Sequence, residues 1–401
     1  MATRIWRTLL PAFVTLCLAA WTACGPTEAS GAAPDDEASL EAELLRVETA
    51  EGISSEALVA PLTGLGAINA ARGRHESAIG YWQRAIAVLR RADGLFTPRQ
   101  LPLLDDLSAS WLALADPLAA LEVRRYALVV AERSSGEDDP RTLPAIEALI
   151  AVHEQLDEHE QVRRQYAHMR RVGLREGDPT SPTVIRALLG IGRSHLRQFV
   201  DRPTSVQPHW VRDAVTGEAV PQMSLEPYQS PRPDRAGRQS TAEALALLRS
   251  VDDPPPGLLA RALIESGDWQ VVLQRPQHAV AHYAEAWRLH DRLLPDEPNP
   301  LAAPRLVLYR APEPSRRGEL PVGGQIELQT AHFRLTVDDR GVPQDIVLVE
   351  SDTTERRVEL LRRSLESARF SPRFEDARPV VTTGVRFEGT WEALAGEPEE
   401  P

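Results

Sequence analysis

At 401 residues the chain exceeds what one compact core accommodates, so length alone predicts two or three domains. Its formal net charge is −13, and acids flank every run of arginines. That balance excludes the clustered cationic face needed to hold nucleic acid.

Residues 1–24 read as an export signal: Arg4 and Arg7 supply a positive end, and Leu9 to Ala20 form an apolar run of twelve, too short for a comfortable membrane span. The sequence Trp21-Thr22-Ala23-Cys24-Gly25 resembles a lipoprotein cleavage box, with Trp21 where a Leu-like residue is usual, and the resemblance implies lipidation of Cys24. Ordinary secretion and an uncleaved signal anchor are the alternatives. Cys17 lies inside the apolar run and leaves with it, so the mature chain holds at most one cysteine and no internal disulfide. A periplasmic protein, or an outer-membrane-attached lipoprotein facing the periplasm, is expected, with no membrane contact beyond that N-terminal lipid. Residues 25–39 are rich in Ala, Gly, Pro and acid without periodicity and read as a flexible tether.

Residues 40–200 carry an internal repeat. Leu65, Gly66, Asn69, Gly73, Ala78, Trp82 and Ala85 alternate large and small apolar residues in a frame that predicts two helices, about Pro61 to Ala71 and Glu76 to Arg91, joined at Gly73. The frame recurs at Leu107, Ser108, Trp111, Ala115, Ala120 and Ala127. It recurs again at Leu149, Ile150, His153, Asp157, Val162, Tyr166 and Met169, and a fourth first helix is marked by Ile191, Gly192 and His195. The anchors Leu65, Leu107, Leu149 and Ile191 stand 42 residues apart, and Pro140 and Pro182, also 42 apart, precede helix starts where a missing N–H is harmless. This frame resembles the tetratricopeptide repeat in its longer, kinesin-light-chain-like form; HEAT or armadillo repeats are the alternative of similar length. Small residues such as Gly66, Ala78 and Ala85 let two helices approach, Trp82 or Tyr166 fills the gap to the next pair, and stacking buries the apolar stripe that one pair cannot bury alone.

Periodicity fails over the Pro-rich insertion 201–240 and resumes over 241–294, with Thr241 as a candidate helix cap. Gly267, Asp268, Trp269, Ala279, Tyr283 and Ala286 then restore the frame and predict helices from about Leu258 to Leu273 and Gln277 to Leu294. Arrays of this kind bind through the face made by first helices. Positions two before, two after and five after the anchor place Thr63, Asp105, Glu147, Ala67, Ala109, Arg193 and Ala70 there, with Arg186 and Arg197 further along. They predict a protein- or peptide-binding groove, acidic on one side and basic on the other, or else a solvated helix face.

Residues 295–325 form a Pro-rich linker or a brace against the last hairpin. From 326 to 395 a small α+β domain follows. His332 to Val337 alternates as a strand, Asp338-Asp339-Arg340-Gly341 is a turn, and Asp345 to Glu350 is a second strand. A helix capped within Ser351 to Thr354 places Val358, Leu361, Leu365 and Ala368 on one face and ends at Arg369-Phe370-Ser371-Pro372; a strand over Val380 to Trp391 returns. This order, with Ala368-Arg369-Phe370-Ser371-Pro372 and Arg378-Pro379-Val380, resembles the TonB C-terminal domain over about seventy residues. The resemblance implies docking to another envelope protein. Val380, Val381, Val385 and Phe387 mark the edge strand expected to receive an incoming strand; packing against the repeats alone is the alternative. Residues 396–401 are an acidic tail.

A search for catalysis finds no nucleophile signature, phosphate-cradling loop or dinucleotide fingerprint. His278 and His282 share a helix face without the Glu of a zinc protease box, and Asp105-Asp106 and Asp138-Asp139 read as turn or cap residues. The expectation is therefore a mostly α protein, a tetratricopeptide-type hairpin solenoid followed by the small α+β domain. It is expected to work as a non-enzymatic binding scaffold of the bacterial cell envelope, without a cofactor or metal. A divergent TonB-type energy transducer and an enzyme with an unrecognised site are the alternatives.

Overall fold

A computed structural model describes residues 34–175, 177–200, 209–212, 219–222, 233–312 and 326–394. The export signal, Cys24 and the acidic tail lie outside them. The chain divides into two compact units, Met1–Gly177 and Asp178–Pro401.

In the first unit, helix α1 (Pro34–Glu51) precedes three helical hairpins: α2 (Val59–Ala71) with α3 (His75–Asp93), α4 (Leu101–Ala113) with α5 (Pro117–Ser135), and α6 (Leu143–Gln155) with α7 (His159–Leu174). The first helices begin at 59, 101 and 143, so the step of 42 holds to the residue. Local chemistry repeats with it. Ser55, Thr97 and Asp139 each accept the backbone N–H two residues on and start a single 3-10 turn that leads into the helix. Gly73, Ala115 and Asp157 then turn each hairpin with φ of 74°, 57° and 52°. Between the helices Gly66 lies flat against the Trp82 indole, where a Cβ would stand 2.5 Å from Nε1; Trp82 is 3 % exposed.

Helix α1 corrects the expected tether, because it begins at Pro34, inside residues 25–39. Leu44 and buried Val47 pack on the core of the first hairpin, Leu40 lies on Gly64, and Glu37 pairs with Arg72 and Arg74. A strongly charged helix is held there by one apolar edge and three arginines, Arg84 pairing with Glu48 as well, so composition alone mistook it for solvated chain.

The second unit opens with α8 (Pro182–Val200), followed by an antiparallel ribbon of β1 (His209–Arg212) and β2 (Ala219–Gln222). Helix α9 (Pro233–Arg249) pairs with α8, and α10 (Pro256–Val272) with α11 (Pro276–Leu293). The insertion is therefore shorter than 201–240. Helix α9 starts at Pro233, which suits a first helical turn, and Thr241 is no cap: it is buried within the helix and donates to the Gly237 carbonyl at 3.1 Å. Gly192 and Gly267 repeat the close approach made by Gly66, against Thr241 and Tyr283 respectively.

The rest of this unit is the small α+β module. It comprises β3 (Arg305–Leu308), β4 (Ile326–Val337), β5 (Pro343–Ser351), α12 (Glu355–Glu366), β6 (Arg369–Ser371), β7 (Arg373–Glu375), β8 (Arg378–Val380) and β9 (Thr382–Leu394). The main sheet is antiparallel in the order β5-β4-β9. Phe333, Leu335, Leu361, Leu365, Phe370 and Trp391 form its core, and the Thr354 hydroxyl caps α12 as the sequence implied. Three boundaries differ from expectation. Arg369–Ser371 is a strand rather than a helix end, since α12 stops at Glu366. Its partner is β3, in the stretch 295–325 expected to be a linker or a brace; Leu301 and Val307 pack into the core of the last hairpin, as a brace would. The returning strand is two strands: β8 folds back on β7 around Asp376 and Ala377, both at positive φ, before β9 begins.

Candidate functional site

The first helices of the N-terminal unit bury one face and leave another in water. Leu65, Leu107 and Leu149 are buried, and two residues on, Ala67, Ala109 and Ala151 are all exposed. These three alanines form a shallow rung repeated every 42 residues. Asp105 and Glu147, on the neighbouring turn, are exposed too, whereas Thr63 is half-buried and gives its hydroxyl to the Val59 carbonyl at 2.7 Å. Asp105 is an ion-pair partner of Arg124 on α5. Partial loss of hydration, and then the charge of Asp105, push the neighbouring Asp106 carboxyl above the usual range. These two acids lie within α4 and not in a turn or cap, unlike Asp139, which does cap.

In the second unit the corresponding face is covered. From Leu258 to Val272 of α10 no residue is exposed. Asp268 follows Gly267 as Ala67 follows Gly66, yet it is only 5 % exposed. Its Oδ1 accepts the Tyr283 hydroxyl at 2.7 Å and the Arg305 guanidinium at 2.5 Å. Of the predicted cations, Arg193 stands 3.7 Å from Glu265 on α10, Arg186 is half-buried and Arg197 is exposed. The acidic and basic residues expected to flank one groove thus divide between the units: Thr63, Asp105 and Glu147 in one, Arg186, Arg193 and Arg197 in the other. The sequence reading missed Arg305 and the role of Asp268. An acid standing where the first repeats place alanine was the available signal.

Of the predicted edge-strand residues, Val385 and Phe387 lie on β9 and pack against the sheet core. Among the described strands β9 pairs only with β4. Val380 belongs instead to β8, and Val381, between the two strands, is 59 % exposed. Two further clusters matter for metal chemistry. Burial, followed by the charge of Arg249, lowers the His282 imidazole below its usual value. Elsewhere Glu137, Asp138 and His168 bring ligand atoms within 4.8 Å of one another. Arg171 lies 3.2 Å from Glu137 and 3.7 Å from Asp138, so a protein cation already answers those acids.

No family model and no curated protein matches the chain. Solved structures that resemble it are tetratricopeptide-like repeat proteins. BtubC (BKLC) from P. vanneervenii is 15 % identical over 71 % of this chain and 96 % of that one, with a TM-score of 0.43. The kinesin light chain TPR-like repeats of Podosopora anserina are 8 % identical over 63 % and 98 %, at 0.42. The apo form of RapI is 11 % identical over 58 % and 70 %, at 0.40.

Proposed function

We propose that the chain is a non-enzymatic protein-binding scaffold of the bacterial cell envelope, and that the first-helix face of its N-terminal unit holds an extended segment of a partner protein. The rung Ala67, Ala109 and Ala151 carries this reading: three small side chains, solvent-facing and in register, let a backbone approach the helices closely. Asp106, exposed beside it on α4, favours a segment bearing lysine or arginine. The paired substitution Ala109→Arg and Ala151→Arg tests it, because both positions are exposed and the helices tolerate arginine. Partners captured by the wild-type mature chain should be lost by the variant at unchanged helicity and unfolding midpoint. Equal capture by both proteins refutes the assignment of this face.

The envelope setting rests on Arg4, Arg7, the apolar run to Ala20 and Cys24. Metabolic labelling with a fatty acid, with Cys24→Ser as control, tests the lipid anchor. A second docking point is the outer edge of β9, whose backbone groups face away from β4. Proline introduced at Arg386 should remove that contact without touching the repeat face.

A further inference from the structure

The covered face of α8 and α10 is filled by the chain itself. Leu301 is fully buried. Val307 and Leu308 of β3 pack against Leu196 of α8 and Trp269 and Val272 of α10. Arg305 reaches Asp268, and the Arg310 guanidinium lies 5.8 Å from the centre of the Phe199 ring. Residues 301–310 therefore run across the same first-helix face that stands open in the N-terminal unit, and contribute an arginine at the position of the alanine rung. Asp268 demands such a cation, because a buried carboxylate held only by a tyrosine hydroxyl is strongly disfavoured.

We propose that this face is a segment-receiving groove whose resident occupant is Leu301–Arg310, and that a partner segment of the same chemistry, an extended chain with arginine followed two and three residues later by aliphatic side chains, exchanges with it. The specificity lies in two contacts: a guanidinium on Asp268, and aliphatic groups on Trp269 and Val272. The resident segment competes by effective concentration, since it is tethered to the groove it fills. Exchange also frees β3 from β6, its partner in the module, so occupancy in trans reports on how the module is held.

The test uses the full chain and a labelled synthetic peptide of residues 299–310, followed by fluorescence anisotropy. Wild-type protein should bind it weakly. Arg305→Ala, which loosens the resident segment while leaving Asp268 free for the arginine of the peptide, should bind at least about tenfold more tightly, a gain of roughly 1.4 kcal/mol. A peptide with Arg305→Ala should lose that gain. Val307→Ser, which keeps the ion pair and weakens only the aliphatic contact, gives a second opened protein should Arg305→Ala not fold. Binding no tighter to a folded opened variant than to wild type overturns the proposal, and so does equal binding of the peptide without arginine. Ala109→Arg with Ala151→Arg should leave every one of these values unchanged, which separates this groove from the open face.

Discussion

Two glycines of the first hairpin should respond to the same substitution with opposite signs. At Gly66 an added methyl group would lie 2.5 Å from Nε1 and 2.8 Å from Cδ1 and Cε2 of Trp82, whose ring is buried. Overpacking of this kind costs about 1–3 kcal/mol, against roughly 1 kcal/mol gained by alanine over glycine in a helix. Gly66→Ala should therefore destabilise the unit by about 1 kcal/mol, and by up to about 2 kcal/mol if the indole cannot shift. At Gly80, also helical, nothing lies within 4 Å of the new methyl. Gly80→Ala should stabilise by about 0.5–1 kcal/mol. Urea unfolding followed by far-ultraviolet circular dichroism, with unchanged m-values, measures both. A Gly66→Ala protein as stable as wild type would show that the indole is not pinned, and would refute the close-approach reading of the repeat. Trp82→Phe introduced alongside should recover part of the loss, because the two residues share the contact.

Gly267→Ala should behave like Gly66→Ala, since its methyl would stand 2.4 Å from Tyr283. Tyr283→Phe removes one of two donors to Asp268 while Arg305 remains, so a loss of about 0.5–1.5 kcal/mol in denaturant unfolding is expected. Asp106 has a raised carboxyl value in the fold, so its contribution is favourable below pH 3.8 and is lost as the pH rises; Asp106→Asn should raise the midpoint at neutral pH and do nothing at pH 3. Asp139 is the opposite case. Hydrogen bonds from the Arg141 side chain and backbone hold it down to about 2, so its stabilisation is present above pH 3.8 and is lost towards pH 2. An acid titration of stability should flatten over that interval in Asp139→Ala.

The repeat was legible in the chain because its physics is local. A buried leucine, at 65, 107 and 149, and a tight turn eight residues on, at Gly73, Ala115 and Asp157, recur at a fixed step, and each is dictated by helices at close range. Even the caps follow, Ser55, Thr97 and Asp139 being one chemical choice made three times. What was hidden depended on distant partners. Strand β3 has only four residues and finds β6 more than sixty positions away, so nothing near Arg305 announces a strand. Helix α1 carries eight charged residues among eighteen, and its apolar edge acquires meaning only against α2. The charge pattern of the groove misled for a related reason: Asp105 and Arg193 are answered by Arg124 and Glu265 from neighbouring helices, which spacing along one helix cannot reveal.

The hairpin of α8 and α9 closes across residues 201–232, whereas α2 and α3 are joined by residues 72–74. Loop-closure entropy grows only with the logarithm of length, so a tenfold longer connection costs about 2 kcal/mol, less than one well-packed side chain contributes. This corner already carries thirty-two connecting residues beside an intact pair of rods. The same corner is where an engineer would graft a fluorescent reporter or an epitope and expect the remainder of the molecule to fold as before.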